Sequence, residues 1–227
     1  MSTKYLWRAG IRPEVDFWDE YFSTKGSKWA DIYGLRFDPD LPLQPRPLAL
    51  LPDKFDIHIL DVGAGPLTYL GKKAKNKKIT ITAVDALADE YDKILEKYDI
   101  VPLVRTSKLD AESLTDAFSP DSFDLVFARN CIDHAYNPKA AIFQMINVLK
   151  PGGYVLLEHR PHEAENRKYH GLHQWNFHTN PAGDFMVGSR NSQLNLTESF
   201  INIATIKCEI VHEERDGDML ITRIMKK

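Results

Sequence analysis

Ile57-His-Ile-Leu-Asp-Val-Gly-Ala-Gly-Pro-Leu-Thr-Tyr-Leu-Gly71 is the stretch that decides how this chain folds. Ile57, Ile59, Leu60 and Val62 form a short apolar run, the pattern of a strand buried on both faces. Gly63 and Gly65 follow at once and let the backbone turn sharply and approach a ligand with no Cβ in the way. Pro66 suits the first position of a helix, where its missing N–H costs nothing and its φ is already helical. The stretch predicts a strand, a tight glycine turn and a helix N-terminus. Such a turn presents free backbone N–H groups and a partial positive charge to a bound anion.

Two carboxylates narrow the choice of ligand. A dinucleotide fold prefers Gly-x-Gly-x-x-Gly, but Thr68 stands in the last place. Asp61, at the end of the strand, would repel a pyrophosphate and welcome an ammonium. Asp85 follows a second apolar run (Ile79, Ile81, Ala83, Val84). It lies about 20 residues past the bend, where a carboxylate can accept both ribose hydroxyls. S-adenosylmethionine has an ammonium, a carboxylate and no phosphate, and it matches this pattern.

Three more segments carry a family resemblance: Val104-Arg-Thr-Ser-Lys-Leu-Asp-Ala-Glu-Ser-Leu114, Phe123-Asp-Leu-Val-Phe-Ala-Arg-Asn130 and Leu149-Lys-Pro-Gly-Gly-Tyr-Val-Leu-Leu157. With the glycine stretch they make the chain resemble a class I S-adenosylmethionine-dependent methyltransferase of the type-11-like group, over residues 55–160 and in topology to the end. The resemblance implies cofactor contacts from Asp61, Gly63, Ala64, Gly65 and Pro66 at the bend, and from Asp85 and Ala86 after the second strand. It also places Asp110 near the adenine amine, Ala111 near the ring, and Arg129 and Asn130 on the loop after the fourth strand.

The rest of the chain reads outward from this core. Strand patterns fall near 57–62, 79–84, 100–105, 123–128 and 153–158, and helix patterns near 66–75, 88–97, 112–118 and 138–149. Such alternation predicts an α/β, doubly wound, mostly parallel sheet with the ligand at the carboxyl ends of the strands. Thr197 reads as a helix N-cap. Cys208, Ile210 and Val211 suggest a sixth strand, Asp216-Gly217 a hairpin turn, and Leu220, Thr222 and Ile224 a seventh. A seven-stranded sheet ending in an antiparallel hairpin is what the resemblance implies. Residues 1–54 read as an N-terminal helical cap and proline-rich linker before a methyltransferase domain over 55–227. The cap is either extra packing against the sheet or a lid that brings Tyr21 or Trp29 near the cofactor. Lys72, Lys73, Lys75, Lys77 and Lys78 read as solvated cations closing the first helix.

Composition bounds the partners. A net charge of -3 offers no general attraction to nucleic acid or an anionic membrane. No apolar run approaches the ~20 residues that span a bilayer. Cys131 and Cys208 make no disulfide framework. The expected setting is the cytoplasm and the expected partner a small molecule, with oligomeric state left open.

The catalytic expectation rests on histidine. Methyl transfer from a sulfonium needs alignment, and a hydroxyl acceptor must also lose its proton, a task suited to a side chain with pKa near 6.5. His134, on the loop after the fourth strand, and His173, in the 160–194 insertion, are the two candidates for that base. Residues 160–194 are rich in His, Arg and aromatic side chains and read as a substrate-facing segment. Arg160, Arg167 and His170 are placed there as possible anchors for an anionic part of the acceptor. The composition suits a sugar or related polar metabolite. His159, His162, His170 and His173 lack helix-borne zinc spacing, and no metal is expected. The rivals are a nucleic-acid or protein methyltransferase, a nicotinamide-dependent oxidoreductase and a cofactor-binding module without turnover. Ala128-Arg-Asn-Cys131 stands where an amino-group methyltransferase acting on DNA would carry Asn-Pro-Pro-Tyr, and Thr68 and Asp61 oppose the oxidoreductase.

Overall fold

The computed structural model describes residues 3–227; the first two residues of the expected cap lie outside it. Seven strands form the main sheet: β1 (Asp56–Val62), β2 (Lys78–Asp85), β3 (Thr106–Lys108), β4 (Phe123–Arg129), β5 (Leu149–His159), β9 (Ala204–Glu213) and β10 (Gly217–Lys226). Their order is β3-β2-β1-β4-β5-β10-β9. The first five run parallel, and β10 lies antiparallel between β5 and β9. The doubly wound sheet with its terminal hairpin is as the sequence predicts. The strand order reverses between β1 and β4, which leaves a crevice at their carboxyl ends.

The central strands are apolar because both faces are covered. In β4 every residue from Phe123 to Ala128 is buried. On one face α5 (Pro138–Val148) buries Ala141, Ile142, Met145 and Ile146 against Leu60, Val126 and Val155. Asn137 caps this helix by accepting from Ala140 N at 3.2 Å, and Pro138 occupies its first turn. α4 (Ala88–Lys97) buries Ala88, Tyr91, Ile94 and Leu95, a stripe of helical period, and matches its expected bounds.

α1 (Thr3–Ser23) lies over α4: Trp18 meets Tyr91 edge-on at 6.0 Å and Phe22 stacks on Tyr98 at 6.2 Å. α2 (Ala30–Arg36) and the five-residue α3 (Pro45–Ala49) lead from it to the sheet.

Four expectations need correction. No helix follows the glycine bend; residues 66–77 run as turns and two isolated bridges, Pro42 to Lys73 and Ala74 to Lys77. Gly71 packs so closely on the Pro42 backbone that any side chain there would collide with it. Leu67 and Leu70 are buried, but past Gly71 the segment is mostly lysine and has no apolar face to hold a helix. The lysines therefore close no helix. The third strand covers Thr106–Lys108 rather than 100–105, because Pro102 interrupts the run and Val101 is left 85% exposed. The 112–118 helix is a shorter 3-10 segment, Ala111–Asp116. Finally, Asn195 rather than Thr197 caps α7 (Leu196–Phe200), accepting from Glu198 N at 3.0 Å, while Thr197 Oγ1 accepts from Phe185 N at 2.9 Å.

The 160–194 segment is more ordered than a loop. It carries α6 (Glu163–Asn166) and most of a small antiparallel sheet of β6 (Asn176–Thr179), β7 (Phe185–Gly188) and β8 (Gln193–Asn195). Phe177, Phe185 and Val187 alternate into the core beside α5. Only its first part turns toward the crevice.

Candidate active site

A cavity of about 580 Å³ opens at the β1–β4 crevice, roofed by α1. That volume is within the range of small-molecule sites, about 300–1,000 Å³. Its floor is the glycine bend. Gly63 and Gly65 have φ of 68° and 64°, values that L-residues rarely adopt. A Cβ on Gly63 would lie 2.5 Å from Cys131 Sγ, and one on Gly65 would lie 2.7 Å from the Trp18 ring. The turn therefore needs glycine twice, once for Cys131 behind it and once for the roof above.

The N–H groups of the bend are already engaged, contrary to expectation. Gly63 and Ala64 both donate to Val84 O, at 2.8 and 3.2 Å, and Gly65 N donates to Asp85 Oδ2 at 3.1 Å. With no helix behind it, the bend offers no anion cradle. Its polarity comes from carboxylates. Asp61 is 2% exposed and accepts from Thr68 Oγ1 at 2.5 Å; burial raises its pKa to about 6. Burial likewise raises Asp85 to about 6, although Leu87 N donates to its Oδ1 at 2.8 Å. Both groups are carboxylates short of positive charge, the condition that a cationic, hydroxyl-bearing ligand relieves.

The cavity also holds a cation that the sequence reading did not single out. Arg36 reaches from α2 to donate to Leu67 O, and its guanidinium lies 5.5 Å from the Trp18 ring and 5.9 Å from that of Tyr21. Burial lowers its pKa. Among the described residues, Arg36 Nε and the hydroxyl of Tyr21, a residue only 6% exposed, have no hydrogen-bond partner. Tyr21 was legible as a lid residue from its place in the aromatic run; Arg36 had no local signal.

The remaining cofactor candidates divide. Ala86, Ala111, Arg129 and Asn130 line the cavity; Asp110 and Pro66 do not, and Leu109 and Glu112 flank Ala111 there instead. Asp110 Oδ2 faces Tyr136 Oη at 3.4 Å. Arg129 is committed elsewhere: it pairs with Glu158, with Glu213 at 2.9 Å and with Asp216 at 2.7 Å. Burial opposes its charge, but these carboxylates, Glu158 foremost, raise its pKa overall.

The two catalytic candidates come together. His134 Nε2 lies 3.1 Å from His173 Nδ1, and that nitrogen lies 2.7 Å from Asp133 Oδ2. A 3-10 turn after β4, Ile132–His134, supplies two of the three residues. It is pinned by Ile132 N donating to His159 Nε2 at 3.1 Å, and burial lowers His159 to about 4. Gln174 N to Asp133 O at 3.3 Å and Trp175 Nε1 to Ala135 O at 2.8 Å tie the insertion to the same turn. Burial disfavours charge on His134, but Asp133 and Glu14 outweigh it and raise its pKa. Burial would also raise Asp133, but His134 and His173 hold it well below the usual carboxylate range. Arg160, Arg167 and His170 line the adjoining wall, whereas His162 does not.

Residues 60–157 match the family described as "Methyltransferase domain". Two curated relatives are ubiquinone biosynthesis O-methyltransferases. The one from Paracidovorax citrulli is 26% identical over 59% of this chain and 57% of its own length. The one from Idiomarina loihiensis is 29% identical over 59% and 56%. The chain thus spans a little over half the length of these relatives. Among solved structures, the fold resembles a chain of the "Complex between the Haloferax volcanii Trm112 methyltransferase activator and the putative methyltransferase", with TM-score 0.56, 15% identity, and 91% and 96% of the two chains covered. It also resembles the N-methyltransferase NodS from Bradyrhizobium japonicum, with TM-score 0.50, 15% identity, and 79% and 91% covered. Sheet order, glycine bend and family match agree: residues 60–157 match a methyltransferase domain, and the fold around them is the one shared by S-adenosylmethionine-dependent methyltransferases.

Proposed function

We propose that this chain is an enzyme that transfers the methyl group of S-adenosylmethionine to a hydroxyl of a small polar acceptor, a sugar or related metabolite. The cofactor supplies the activated methyl and a neutral thioether leaving group. The observation that carries the reading is the meeting of His134, His173 and Asp133 at the edge of the cavity whose floor holds Asp61 and Asp85. Asp85 would accept the ribose hydroxyls. Asp61 would take the ammonium of the amino-acid tail, and Arg36 with Tyr21 its carboxylate, the task a helix N-terminus performs elsewhere. Ala111 would pack on the adenine. Gly63, Ala64 and Gly65 would let the tail lie against the backbone, with Ala86 and Asn130 bordering it.

On the acceptor side, Arg160, Arg167 and His170 offer donors to a polyhydroxylated or anionic group. The acceptor oxygen gives an electron pair to the methyl carbon as the carbon–sulfur pair returns to sulfur, and the hydroxyl proton leaves at the His134–His173 cluster. Removing either imidazole should cut turnover by about 10²–10⁴, the usual contribution of a group that assists proton removal. The names of the curated relatives point the same way, to oxygen as the accepting atom.

The test has two parts. Calorimetric titration with S-adenosylhomocysteine should show one site with micromolar or tighter affinity; no binding, beside clear binding of a nicotinamide cofactor, would reverse the reading. A screen of hydroxylated metabolites with labelled S-adenosylmethionine should then find an acceptor whose methylation falls in both His134→Ala and His173→Ala. Equal turnover in the variants would remove the pair from the chemistry.

A further inference from the structure

The histidine cluster sets three ligand-type atoms against one another. His173 Nδ1 faces Asp133 Oδ2 at 2.7 Å and His134 Nε2 at 3.1 Å, and His134 Nε2 stands 3.5 Å from the same carboxylate oxygen. An imidazole nitrogen carries one proton or one lone pair, not both. If His173 Nδ1 is protonated, its one proton is shared between Asp133 Oδ2 and the lone pair of a neutral His134 Nε2, as a three-centre bond. If it is unprotonated, its lone pair confronts the carboxylate. Without an ion the cluster is thus held by a single shared proton, in a group where Asp133 is 2% exposed.

A single bound cation also matches all three atoms. Two imidazole nitrogens and a carboxylate oxygen bound about 2.0–2.2 Å from a single ion lie about 3.0–3.5 Å apart in tetrahedral or octahedral geometry. Two of the three separations, 3.1 and 3.5 Å, fall in that range and the third, 2.7 Å, is shorter; each residue offers one ligand atom, and the three atoms all lie within 4.8 Å of one another. The outer nitrogen of His134, Nδ1, faces Glu14 Oε2 at 4.0 Å, on the side where metal-bound histidines keep an orienting carboxylate. Glu14 is itself held, its Oε1 accepting from Trp18 Nε1 at 2.9 Å. His134 and His173 line the cavity while Asp133 sits behind them, so the open side of the trio faces the acceptor.

We propose that Asp133, His134 and His173 bind a divalent first-row transition-metal ion at the acceptor end of the cavity. The inference rests on the acceptor-side reading above and says how that side works. Two nitrogens and one oxygen suit zinc, iron(II), cobalt or nickel better than magnesium or calcium, which favour oxygen. An ion with an open position toward the cavity would lower the pKa of a hydroxyl placed there, so that its proton is lost to water as the methyl is transferred, and the two imidazoles would assist that proton removal as ligands of the ion. The spacing that argued against a metal in the sequence concerns helix-borne pairs; here the second histidine arrives from an insertion after a different strand.

The test uses the full chain without an affinity tag, stripped with chelator and dialysed, and needs neither cofactor nor acceptor. Titrated with Co²⁺, it should take up one equivalent at micromolar or tighter affinity and develop a visible d–d absorption. His134→Ala and His173→Ala should each weaken uptake at least tenfold, while each keeps the wild-type affinity for S-adenosylhomocysteine as a check on folding. Absence of stoichiometric uptake, or uptake unchanged in both variants, overturns the proposal. A second reading needs no variant: paramagnetic resonance of the Cu²⁺-loaded chain should show hyperfine coupling to two imidazole nitrogens, and an oxygen-only signal overturns it. Cofactor binding without metal uptake would sink the metal site alone; metal uptake without cofactor binding would sink the methyltransferase reading alone.

Discussion

Replacing Asp61 with asparagine should leave the empty protein as stable or more so, while weakening its hold on the cofactor. Asp61 is 2% exposed and burial raises its pKa from 3.8 to about 6. A carboxyl whose pKa is raised on folding is disfavoured as an anion in the fold. Its cost is absent below about pH 4, grows through the interval up to about 6 and is full above it. The size is about 3 kcal/mol, an upper bound. Asparagine carries no charge, and its Oδ1 can still accept from Thr68 Oγ1. The loss of a counter-charge near Arg36 offsets part of the gain. The melting temperature at pH 7.5 should therefore rise by between zero and about 12 °C, at about 2–4 °C per kcal/mol for a chain of this size. The rise should fade as pH falls toward 4.

The cofactor responds in the opposite sense. Losing a charge-assisted hydrogen bond to the ammonium costs about 1.5–3 kcal/mol, or about 10–150-fold in Kd. Calorimetry with S-adenosylhomocysteine reads this directly. Methylthioadenosine, which keeps the adenosine and lacks the amino-acid tail, should bind Asp61→Asn and wild type alike. Equal loss of both ligands, or a fall in melting temperature that tracks the loss of affinity, would show that Asp61 merely shapes the bend and would refute the assignment.

Other predictions follow from the same geometry. Arg36→Gln should weaken S-adenosylhomocysteine by about 10-fold or more while sparing methylthioadenosine, since only the tail carries a carboxylate; calorimetry again decides. Affinity for S-adenosylmethionine in wild type should fall as pH drops through about 6, where the raised pKa of Asp61 protonates the partner of the ammonium; a flat profile from pH 7.5 to 5 would contradict this. Gly63→Ala should destabilise by about 2–5 kcal/mol, summing left-handed strain with overpacking against Cys131, and should lower the melting temperature accordingly. Asn137→Ala should cost about 1 kcal/mol in a denaturant melt by uncapping α5.

The sheet was legible because its signals are local. β1 and β4 are short, mostly apolar runs, α4 shows a clear stripe at helical period, and Asp216-Gly217 announces the hairpin. Pro66 suits a helix start, yet no helix follows the bend, because Gly71 meets the Pro42 backbone and the lysines beyond it leave no apolar face, a tertiary contact that the local signal does not carry. The bend itself was recognised, but the fate of its N–H groups depends on β2 and Asp85 and could not be seen locally. His134 and His173 were each visible as candidates, but not that chain folding sets them 3.1 Å apart beside Asp133. Arg36 escaped notice because a lone arginine on a short helix has no pattern; only tertiary packing places it under Tyr21 and Trp18.

The central claim is that the glycine bend and its two carboxylates seat a sulfonium nucleoside, and a crystal structure with S-adenosylhomocysteine tests it most directly. The ribose hydroxyls should lie within hydrogen-bond distance of Asp85, the amino-acid tail between Asp61 and Arg36, and the thioether sulfur toward His134. A ligand found outside this cavity, or seated in it with the tail away from Asp61 and Arg36, would contradict the account.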